Sequence, residues 1–366
     1  MSQAVAAVAN PMIPAKGAGL VRAWLLVIAA MVYAMILVGG ATRLTDSGLS
    51  ITEWKPLLGA FPPMNAAAWG EAFEKYRTMT AQFHQMNPDM TLEGFKSIYW
   101  WEWGHRELGR TIGVVFALPL IAFWLTGRTT RALLPHLLAL FFLGGLQGLI
   151  GWWMVASGVE SDLVSVAPYR LMVHFCLALL IVSYSVWLWL ELGGRRPAET
   201  PKNAFGWASG LLWVCGIQMA LGALVAGLDA GRGYIDWPLM AGRFVPEAIG
   251  VLDPWWRNIT ENEATAQFLH RMTAYLLIGL AGWAAWTFRK ADGAGFRVFF
   301  ALTLAQATLG VVTLINAAPV NLSLIHQALG AVTLLAGVRL VWTSQSPGNA
   351  GKNLILTDVD NPPARL

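Results

Sequence analysis

Charged residues are scarce in this 366-residue chain: they make up only 13% of it, while 56% of the residues are hydrophobic. Soluble globular domains usually carry about 25% charged residues, so an ordinary water-soluble enzyme is excluded, and so is a disordered chain. The net charge is only +4, which does not indicate a nucleic-acid partner. Only two cysteines occur, Cys176 and Cys215. Both fall in apolar runs, so no disulfide framework is expected.

Long uncharged apolar runs dominate the sequence, and most approach or exceed the roughly 20 residues that cross a bilayer. They cover residues 23–42, 111–127, 132–159, 171–190, 203–228, 272–288 and 298–338. The last run is long enough for two crossings. None of the runs alternates between apolar and polar residues, which excludes a closed β-barrel. We therefore predict an all-α integral membrane protein with eight transmembrane helices.

The positions of Lys and Arg predict the orientation of these helices, because cytoplasmic loops of membrane proteins are enriched in both. The loops after the second, fourth and sixth predicted helices contain Arg128 and Arg131, then Arg195, Arg196 and Lys202, then Arg289, Lys290 and Arg297. The short loops after the third and seventh helices contain neither Lys nor Arg. Both termini are therefore expected on the cytoplasmic side.

The first 22 residues contain one Lys, one Arg and no apolar core of their own. This pattern is unlike a cleavable secretion signal and unlike an Arg-rich transit peptide. We therefore expect a multi-pass protein of a bacterial inner membrane.

An internal repeat organises the chain. A shift of about 183 residues aligns the end of the first predicted helix, and the loop after it, with the end of the fifth. The matched pairs include Gly39 and Gly222, Asp46 and Asp229, Gly48 and Gly231, and Trp54 and Trp237. At a smaller offset, Gln147-x-x-x-Gly151 matches Gln306-x-x-x-Gly310. The repeat predicts two four-helix bundles of the same orientation, residues 1–200 and residues 201–366.

The first outward loop, from Arg43 to about Trp103, is predicted to be structured. Residues 65–83 have apolar side chains at helical spacing. Thr91 is placed to cap a helix that runs into the second crossing. We expect this segment to cover the outer face of the protein.

Four of the six histidines share one kind of position, a few residues inside a helix that runs inward from the outer face. They are His105, His174, His270 and His326, two in each predicted half. Two inward histidines on a four-helix bundle can bind haem iron through two axial imidazoles. A histidine in a membrane helix can also simply hydrogen-bond its neighbour, but four equivalent positions favour two haem sites. His84 and His136 fall outside this pattern, in the outward loop and at the inner interface.

Arg106 and Arg271 directly follow two of these histidines. A haem carries two propionates, and a buried carboxylate needs a paired cation. Because the arginine side chain offers a bidentate fork, we predict that both arginines bind propionates. An interfacial arginine whose charged group extends to water is the alternative.

The two halves differ in one polar residue near their histidines. Glu102 stands three residues before His105, whereas Gln267 stands three residues before His270. Residues three apart share a helix face, so only one predicted pocket contains an ionisable acid. This difference is expected if one haem is chemically altered and the other carries electrons. The alternative is an acid at a helix start that is favoured by the helix dipole.

Two segments resemble the haem A synthase family, in the cysteine-free form of proteobacteria and mitochondria. They are GGATRLTDSGLSITEWKPLLGAFPP at 39–63 and KSIYWWEWGHRELGR at 96–110. Together with the four histidines, the resemblance covers essentially the whole chain. It implies oxidation of a methyl group of haem O to a formyl group, which gives haem A for terminal oxidases.

The same resemblance implies a division of labour. It assigns haem b to the C-terminal half, with His270 and His326 as ligands of the iron. It assigns the substrate haem O to the N-terminal half, beside His105 and His174. An important glutamate of the family falls on Glu102, which makes Glu102, His105 and His174 the expected catalytic residues. Haem b is then the cofactor, and Arg106 and Arg271 are expected to help bind the two haems.

Two other interpretations share part of this pattern. A two-haem membrane cytochrome that transfers electrons from quinol would need the same histidines, but it gives no reason for the difference between Glu102 and Gln267. A transporter built from repeats predicts charged or broken helices near the midplane, whereas the ionisable residues here cluster at the outer ends. The expected partners are haem O and membrane lipid. Haem O synthase, an electron acceptor and further copies of the chain are candidate partners.

Overall fold

A computed structural model describes residues 12–345, apart from residues 15, 16, 57, 160, 194, 195, 198, 291 and 292. Throughout the described residues the structure is helical, without a β-strand. The helices are α1 (Ala18–Leu44), α2 (Ala66–Met79), α3 (Ala81–Met86), α4 (Leu92–Leu125), α5 (Leu134–Val159), α6 (Pro168–Glu191), α7 (Ala204–Gly227), α8 (Arg257–Glu261), α9 (Glu263–Thr287), α10 (Ala294–Ile315) and α11 (Val320–Thr343). The all-α prediction is therefore confirmed.

Eight of the helices in the described residues are 22 to 34 residues long, and seven of these are long and apolar enough to cross a membrane. The exception is α9, in which the adjacent polar residues His270 and Arg271 interrupt the apolar sequence. The eighth crossing therefore stays a prediction. So does the cytoplasmic side of both termini, because residues 1–11 and 346–366, together with Arg195 of the basic loop, lie outside the described residues.

The first outward loop is structured, as predicted. Asn65 caps α2 by accepting a hydrogen bond from the Ala68 backbone N–H (2.8 Å). Thr91 caps α4 in the same way, through the Gly94 N–H (3.2 Å). Because α4 begins at Leu92 rather than near Thr111, its length is about 51 Å. That exceeds a bilayer core of about 30 Å, so the outer part of α4 extends into the loop region.

An aromatic cluster joins the outer end of α4 to α2 and α3. Its buried members are Tyr76, Phe83, Phe95 and Tyr99. Phe95 lies 5.1 Å from Phe73 and 5.5 Å from Tyr76, measured between ring centroids. This cluster fixes the loop as a cap on the first half of the molecule.

The long helices form two rings of four. In the first half α1 packs on α4, α4 on α5, α5 on α6, and α6 back on α1. In the second half the same order is α7, α9, α10 and α11. The two rings meet where α6 packs on α7 and on α11, and α1 packs on α11. Within each ring, α4 lies across from α6 and α9 from α11. The predicted division into two four-helix bundles, residues 1–200 and residues 201–366, stays a prediction.

An ion pair joins the two halves where α1 and α7 end. The Arg43 guanidinium donates to Asp46 (3.1 Å), to Asp229 (2.6 Å) and to the Gly227 carbonyl (3.3 Å). Asp46 and Asp229 are equivalent in the repeat, and both adopt a left-handed backbone, with φ of 51° and 52°. One cation from the first half thus binds the matching carboxylates of both halves.

A second contact between the halves lies deeper, between α1 and α11. The Gln327 side chain donates to the Ile36 carbonyl (2.7 Å). It lies so close to Gly40 that a Cβ at that position would stand 2.1 Å from the amide oxygen. The Tyr33 hydroxyl also donates to the Ala328 carbonyl (3.2 Å). These contacts fix α11 of the second half directly beside α1 of the first.

Candidate functional site

Each ring of four helices carries two of the predicted histidines, on the helices that lie across from one another. His105 is on α4 and His174 on α6, while His270 is on α9 and His326 on α11. All four side chains are half-buried. The structure therefore places the four histidines as two pairs, one pair in each half.

Each histidine ring packs against a glycine of the neighbouring helix. A Cβ added at that glycine would lie 2.8 to 3.1 Å from the nearest ring atom. The pairs are His105 with Gly39, His174 with Gly151, His270 with Gly222, and His326 with Gly310. Distances under about 3.4 Å are tighter than an ordinary carbon contact. Only glycine therefore lets these rings approach the helix beside them without displacement.

Glutamine side chains contact three of the four rings. The amide nitrogen of Gln147 lies 3.2 Å from Nδ1 of His174 and donates to the His174 carbonyl (3.0 Å). That of Gln306 lies 3.5 Å from Nε2 of His326 and donates to its carbonyl (2.9 Å). That of Gln218 lies 3.1 Å from Nδ1 and 3.3 Å from Nε2 of His270. The His105 ring makes no such hydrogen bond within the described residues.

Glu102 lies one turn before His105 on α4 and is only 2% exposed. One carboxylate oxygen accepts from the Ser50 hydroxyl and from the Ile51 N–H, each at 2.7 Å. The other accepts from the Arg106 guanidinium at 2.5 Å. The two oxygens of this buried side chain thus have three hydrogen-bond donors, which offset the cost of burying it.

In the second half Gln267 takes the position of Glu102 and is equally buried. It donates to the Ala230 carbonyl (2.9 Å) and the Tyr234 carbonyl (3.0 Å), and it accepts from Arg271 (3.3 Å). Both polar residues thus fasten the loop that precedes their helix. They differ in the direction of their hydrogen bonds. The Gln267 amide donates to two loop carbonyls, whereas the Glu102 carboxylate accepts from two loop donors.

Arg106 and Arg271 make matching contacts with the loops that precede their helices, between α1 and α4 and between α7 and α9. Arg106 donates to the carbonyls of Ile51 (2.7 Å) and Glu53 (3.0 Å). Arg271 donates to the carbonyls of Tyr234 (2.9 Å), Asp236 (3.0 Å) and Leu239 (2.9 Å). Tyr234 and Asp236 lie 183 residues after Ile51 and Glu53, so they are the equivalent positions in the repeat. The loop carbonyls and Glu102 or Gln267 therefore occupy the terminal nitrogens of both guanidinium groups, while Nε of Arg271 is buried without a partner among the described residues. Binding of propionates by the two arginines remains a prediction.

In the loop between α7 and α9, Asp236 also holds a turn through hydrogen bonds to the backbone. Its carboxylate accepts from the backbone N–H groups of Ala241 and Gly242, each at 3.0 Å. These two bonds favour the ionised form and lower the pKa of the Asp236 carboxyl. The Arg271 contacts and this turn together hold the segment between α7 and α9 in place.

The remaining two histidines lie away from both pairs. His84 is on α3 in the cap, where its ring meets Phe83 edge-on at 5.5 Å. His136 begins α5, and its Nδ1 lies 2.6 Å from the Tyr184 hydroxyl on α6. Neither is brought to the paired histidines.

Sequence reasoning noted Gln147 and Gln306 as repeat matches but gave them no role, and it missed Gln218. The signal that identifies all three is a glutamine four residues before a glycine that faces a histidine. That spacing puts the amide one helical turn from the glycine, on the same face. The fourth helix with a glycine against a histidine ring is α1. Four residues before its glycine, Gly39, it has Met35 instead of a glutamine.

Comparison with known proteins adds the family. A family model of the cytochrome oxidase assembly protein (COX15-CtaA) matches residues 22–338. A Hyphomonas neptunium protein named Heme A synthase is 53% identical over 333 residues, which cover 90% of this chain and 94% of the relative. Proteins of the same name from Bradyrhizobium and Caulobacter vibrioides are both 48% identical, over 87% and 89% of this chain and 89% and 96% of their own lengths.

We expect the conservative variant Arg271→Lys to destabilise the protein by about 1–3 kcal/mol. An ammonium group cannot reproduce the planar fork that serves three loop carbonyls, so buried acceptors lose their partners. The measurement is the thermal unfolding midpoint of the purified protein in detergent. Limited proteolysis should at the same time cut the segment between α7 and α9 faster than in the unchanged protein.

The matched control is Arg257→Lys in the same loop, where the arginine is exposed and pairs with Glu261. An exposed pair of this kind contributes little, so the unfolding midpoint should stay unchanged. Equal midpoints for Arg271→Lys and Arg257→Lys would contradict a structural role for the carbonyl contacts of Arg271.

Proposed function

The chain belongs to the cytochrome oxidase assembly protein family, and on that premise we propose that it is a haem A synthase. It is a multi-pass protein of the bacterial inner membrane. Its substrate is haem O, and its reaction oxidises one methyl group of the porphyrin to a formyl group through successive hydroxylations, with the four electrons passed on to an electron acceptor. The observation that carries this proposal is the occurrence of two histidine pairs in the two halves, of which only one has an acid beside it.

The residues of each pair fit a haem better than a bare metal ion. Within the described residues, no three His, Cys, Asp or Glu side chains come together as a metal site. Two imidazoles suffice for haem iron, because the porphyrin supplies the other four bonds. The glycine beside each ring leaves room that any Cβ would fill. Nδ1 of His326 and the amide oxygens of all three glutamines are buried without a partner in the described structure.

We assign the cofactor haem b to the second half, where His270 and His326 would bind its iron. When bound, this group supplies one-electron redox chemistry. The chain holds the two imidazoles through Gln218 and Gln306 and shields them with the loop that Arg271 fastens. The neutral Gln267 adds no titratable group there, which suits a site that stores and passes electrons.

We assign the substrate to the first half, beside His105 and His174. Oxidation of a methyl group releases protons, so a base is needed near the reacting edge of the substrate. Glu102 lies one turn from His105, and its carboxylate pairs with the Arg106 guanidinium. We propose that this carboxylate accepts a proton from the substrate or stabilises positive charge that develops at the oxidised carbon. Ser50 and Ile51, which donate to it now, would hold it in place for that step.

The proposed function is tested by extracting the haems of the purified protein and identifying them. Haem A, or its alcohol intermediate, beside haem b is the expected result. Haem b alone would instead favour a two-haem cytochrome that leaves its haems unmodified. A protein that purifies without any haem would contradict both functions.

The glycine contacts predict a separate effect on haem b. In Gly310→Ala the new methyl group would stand 2.8 Å from Cε1 of His326, so the ring must shift from its position. We expect haem b per polypeptide to fall on the order of tenfold, measured by pyridine haemochrome after purification. The control is Gly279→Ala in α9 of the same half, where nothing lies within 4 Å of the new methyl. Equal haem content in the two variants would show that the contact is not needed.

The role of Glu102 is tested by Glu102→Gln, which copies the residue of the second half. The variant keeps the size of the side chain, so the fold, the haem b spectrum and haem O binding should remain. Haem A production should nevertheless fall by about 10²–10⁴-fold, the usual effect of losing a general base. The measurement is the ratio of haem O to alcohol intermediate to haem A in cells that express the variant. Near-normal haem A at normal protein levels would contradict the catalytic role and leave Glu102 as a residue that only fastens the loop.

A further inference from the structure

The loop between α1 and α4 exposes three large apolar side chains close together in the sequence. Leu58 is 80% exposed, Phe61 78% and Met64 79%. We call these three residues the apolar tip. An exposed apolar group of this size usually marks a surface that contacts a membrane or another protein, so its position in the fold decides which of the two it contacts.

Contacts with α4 fix the position of this loop. The Arg110 guanidinium donates to the carbonyls of Pro56 (2.8 Å) and Lys55 (3.3 Å). Gly59 also packs against it, because a Cβ at Gly59 would stand 2.9 Å from Nη2 of Arg110. The loop therefore lies against α4 at the level of Arg110, where the apolar tip begins.

The side of α4 that carries Arg110 continues as an exposed apolar stripe. Four residues that are each more than half exposed follow Arg110 at intervals of three or four residues: Val114, Leu118, Ile121 and Leu125. Such intervals place them on one face of the helix with Arg110. Because α4 is long and apolar enough to cross a membrane, this exposed face is the one turned toward lipid. The loop thus stands where the lipid-facing side of α4 begins.

The loop between α7 and α9 repeats this arrangement. Phe244 is the equivalent of Phe61 in the repeat and is 58% exposed. Trp237, which is also exposed, donates through its ring N–H to the Tyr275 hydroxyl (2.9 Å). Tyr275 shares an exposed face of α9 with Trp286, three turns further along. In both halves an apolar loop therefore lies beside the exposed face of a long helix.

Basic side chains beside the exposed phenylalanines are paired with acids. Lys55 pairs with Glu53 (3.0 Å), and Arg243 pairs with Glu247 (2.7 Å). A segment that binds anionic lipid by attraction presents a cluster of Lys and Arg instead. The surface of these loops therefore fits the apolar boundary below the headgroups, and neutral phosphatidylcholine suffices as its partner.

We infer that the apolar tip inserts into the membrane, at the level where the crossing part of α4 begins. Its partner is the boundary between lipid headgroups and acyl chains, because the loop continues the lipid-facing side of α4. Segments that lie in this boundary bury their apolar side chains by about 5–10 Å. The inference goes beyond the proposed function and does not depend on it.

The inserted loop continues directly into the edge of the first pocket. The Ile51 N–H donates to Glu102, and Arg106 donates to the carbonyls of Ile51 and Glu53. Ile51 is seven residues before Leu58. One loop thus contacts the buried carboxylate at one end and lipid at the other, so lipid steadies the segment that holds Glu102.

The test measures the depth of fluorescent labels in phosphatidylcholine vesicles. Phe61→Cys and Met64→Cys are each made in a chain that carries Cys176→Ala and Cys215→Ala, and each is labelled with bimane. Phosphatidylcholine with brominated acyl chains quenches a label in lipid, whereas iodide quenches a label in water. We expect both labels to be quenched by the brominated lipid and protected from iodide, at a depth of about 5–10 Å.

The matched control is Met79→Cys in the same chain without native cysteines. Met79 is an exposed methionine of the same loop region, on α2. That helix packs on α4 around Tyr99, which is about 16 Å from Arg110 along the helix axis. The Met79 label should therefore be quenched by iodide and not by the brominated lipid. Phe244→Cys should report lipid in the second half, independently of whether the variants of the first loop fold.

Two results would overturn the inference. One is quenching of the Phe61 and Met64 labels by iodide as strongly as the Met79 label, which would place the apolar tip in water. The other is protection from both quenchers, which would assign the tip to a contact with protein, such as a second copy of the chain. Neither result bears on which haems the protein contains, so the proposed function is tested separately.

Discussion

The contact between a histidine ring and the bare backbone of a neighbouring glycine is the constraint on which both halves depend. It occurs four times, on α4, α6, α9 and α11, and each time it fixes how close two helices must lie. In a bilayer no hydrophobic effect drives helices together, so close packing at small residues and hydrogen bonds between helices must do so. The glutamines add those hydrogen bonds, because Gln147 and Gln306 also bind the backbone carbonyl of the histidine that they contact. Helix packing and the placement of the rings therefore have a single cause.

Holding the loops that precede α4 and α9 in place is the second requirement, and it gives a structural role to the charged and polar groups at the starts of these two helices. Arg106 and Arg271 donate most of their hydrogen bonds to loop carbonyls, and Glu102 accepts a hydrogen bond from the loop backbone. In the second half the neutral Gln267 does similar structural work. A carboxylic acid is thus not needed to hold such a loop. Its presence in the first half alone calls for a chemical explanation, which the proposed reaction provides.

Much of this arrangement was predictable from the sequence because it depends on patterns within single segments. Apolar runs gave the long helices, Thr91 gave the start of α4, and the repeat singled out the four histidines. The contacts of Arg106 with Ile51 and Glu53 were not predictable, because they depend on how a loop folds back over a helix. Gln218 was overlooked for a related reason. Its counterpart in the other half is Met35, so an alignment of the two halves shows no match at the position where their chemistry differs.

Arg43 shows what is gained when both halves are part of one chain. Its guanidinium binds Asp46 of its own half and Asp229 of the other, and the residue equivalent to Arg43 in the second half is Ala226. A dimer of two identical halves would present two arginines at this junction or none, and it could never place one cation between two matching carboxylates. A single polypeptide with duplicated halves is free of that symmetry. Each position at the junction can therefore diverge separately, as can each residue of the two pockets, while the common framework of helices is kept.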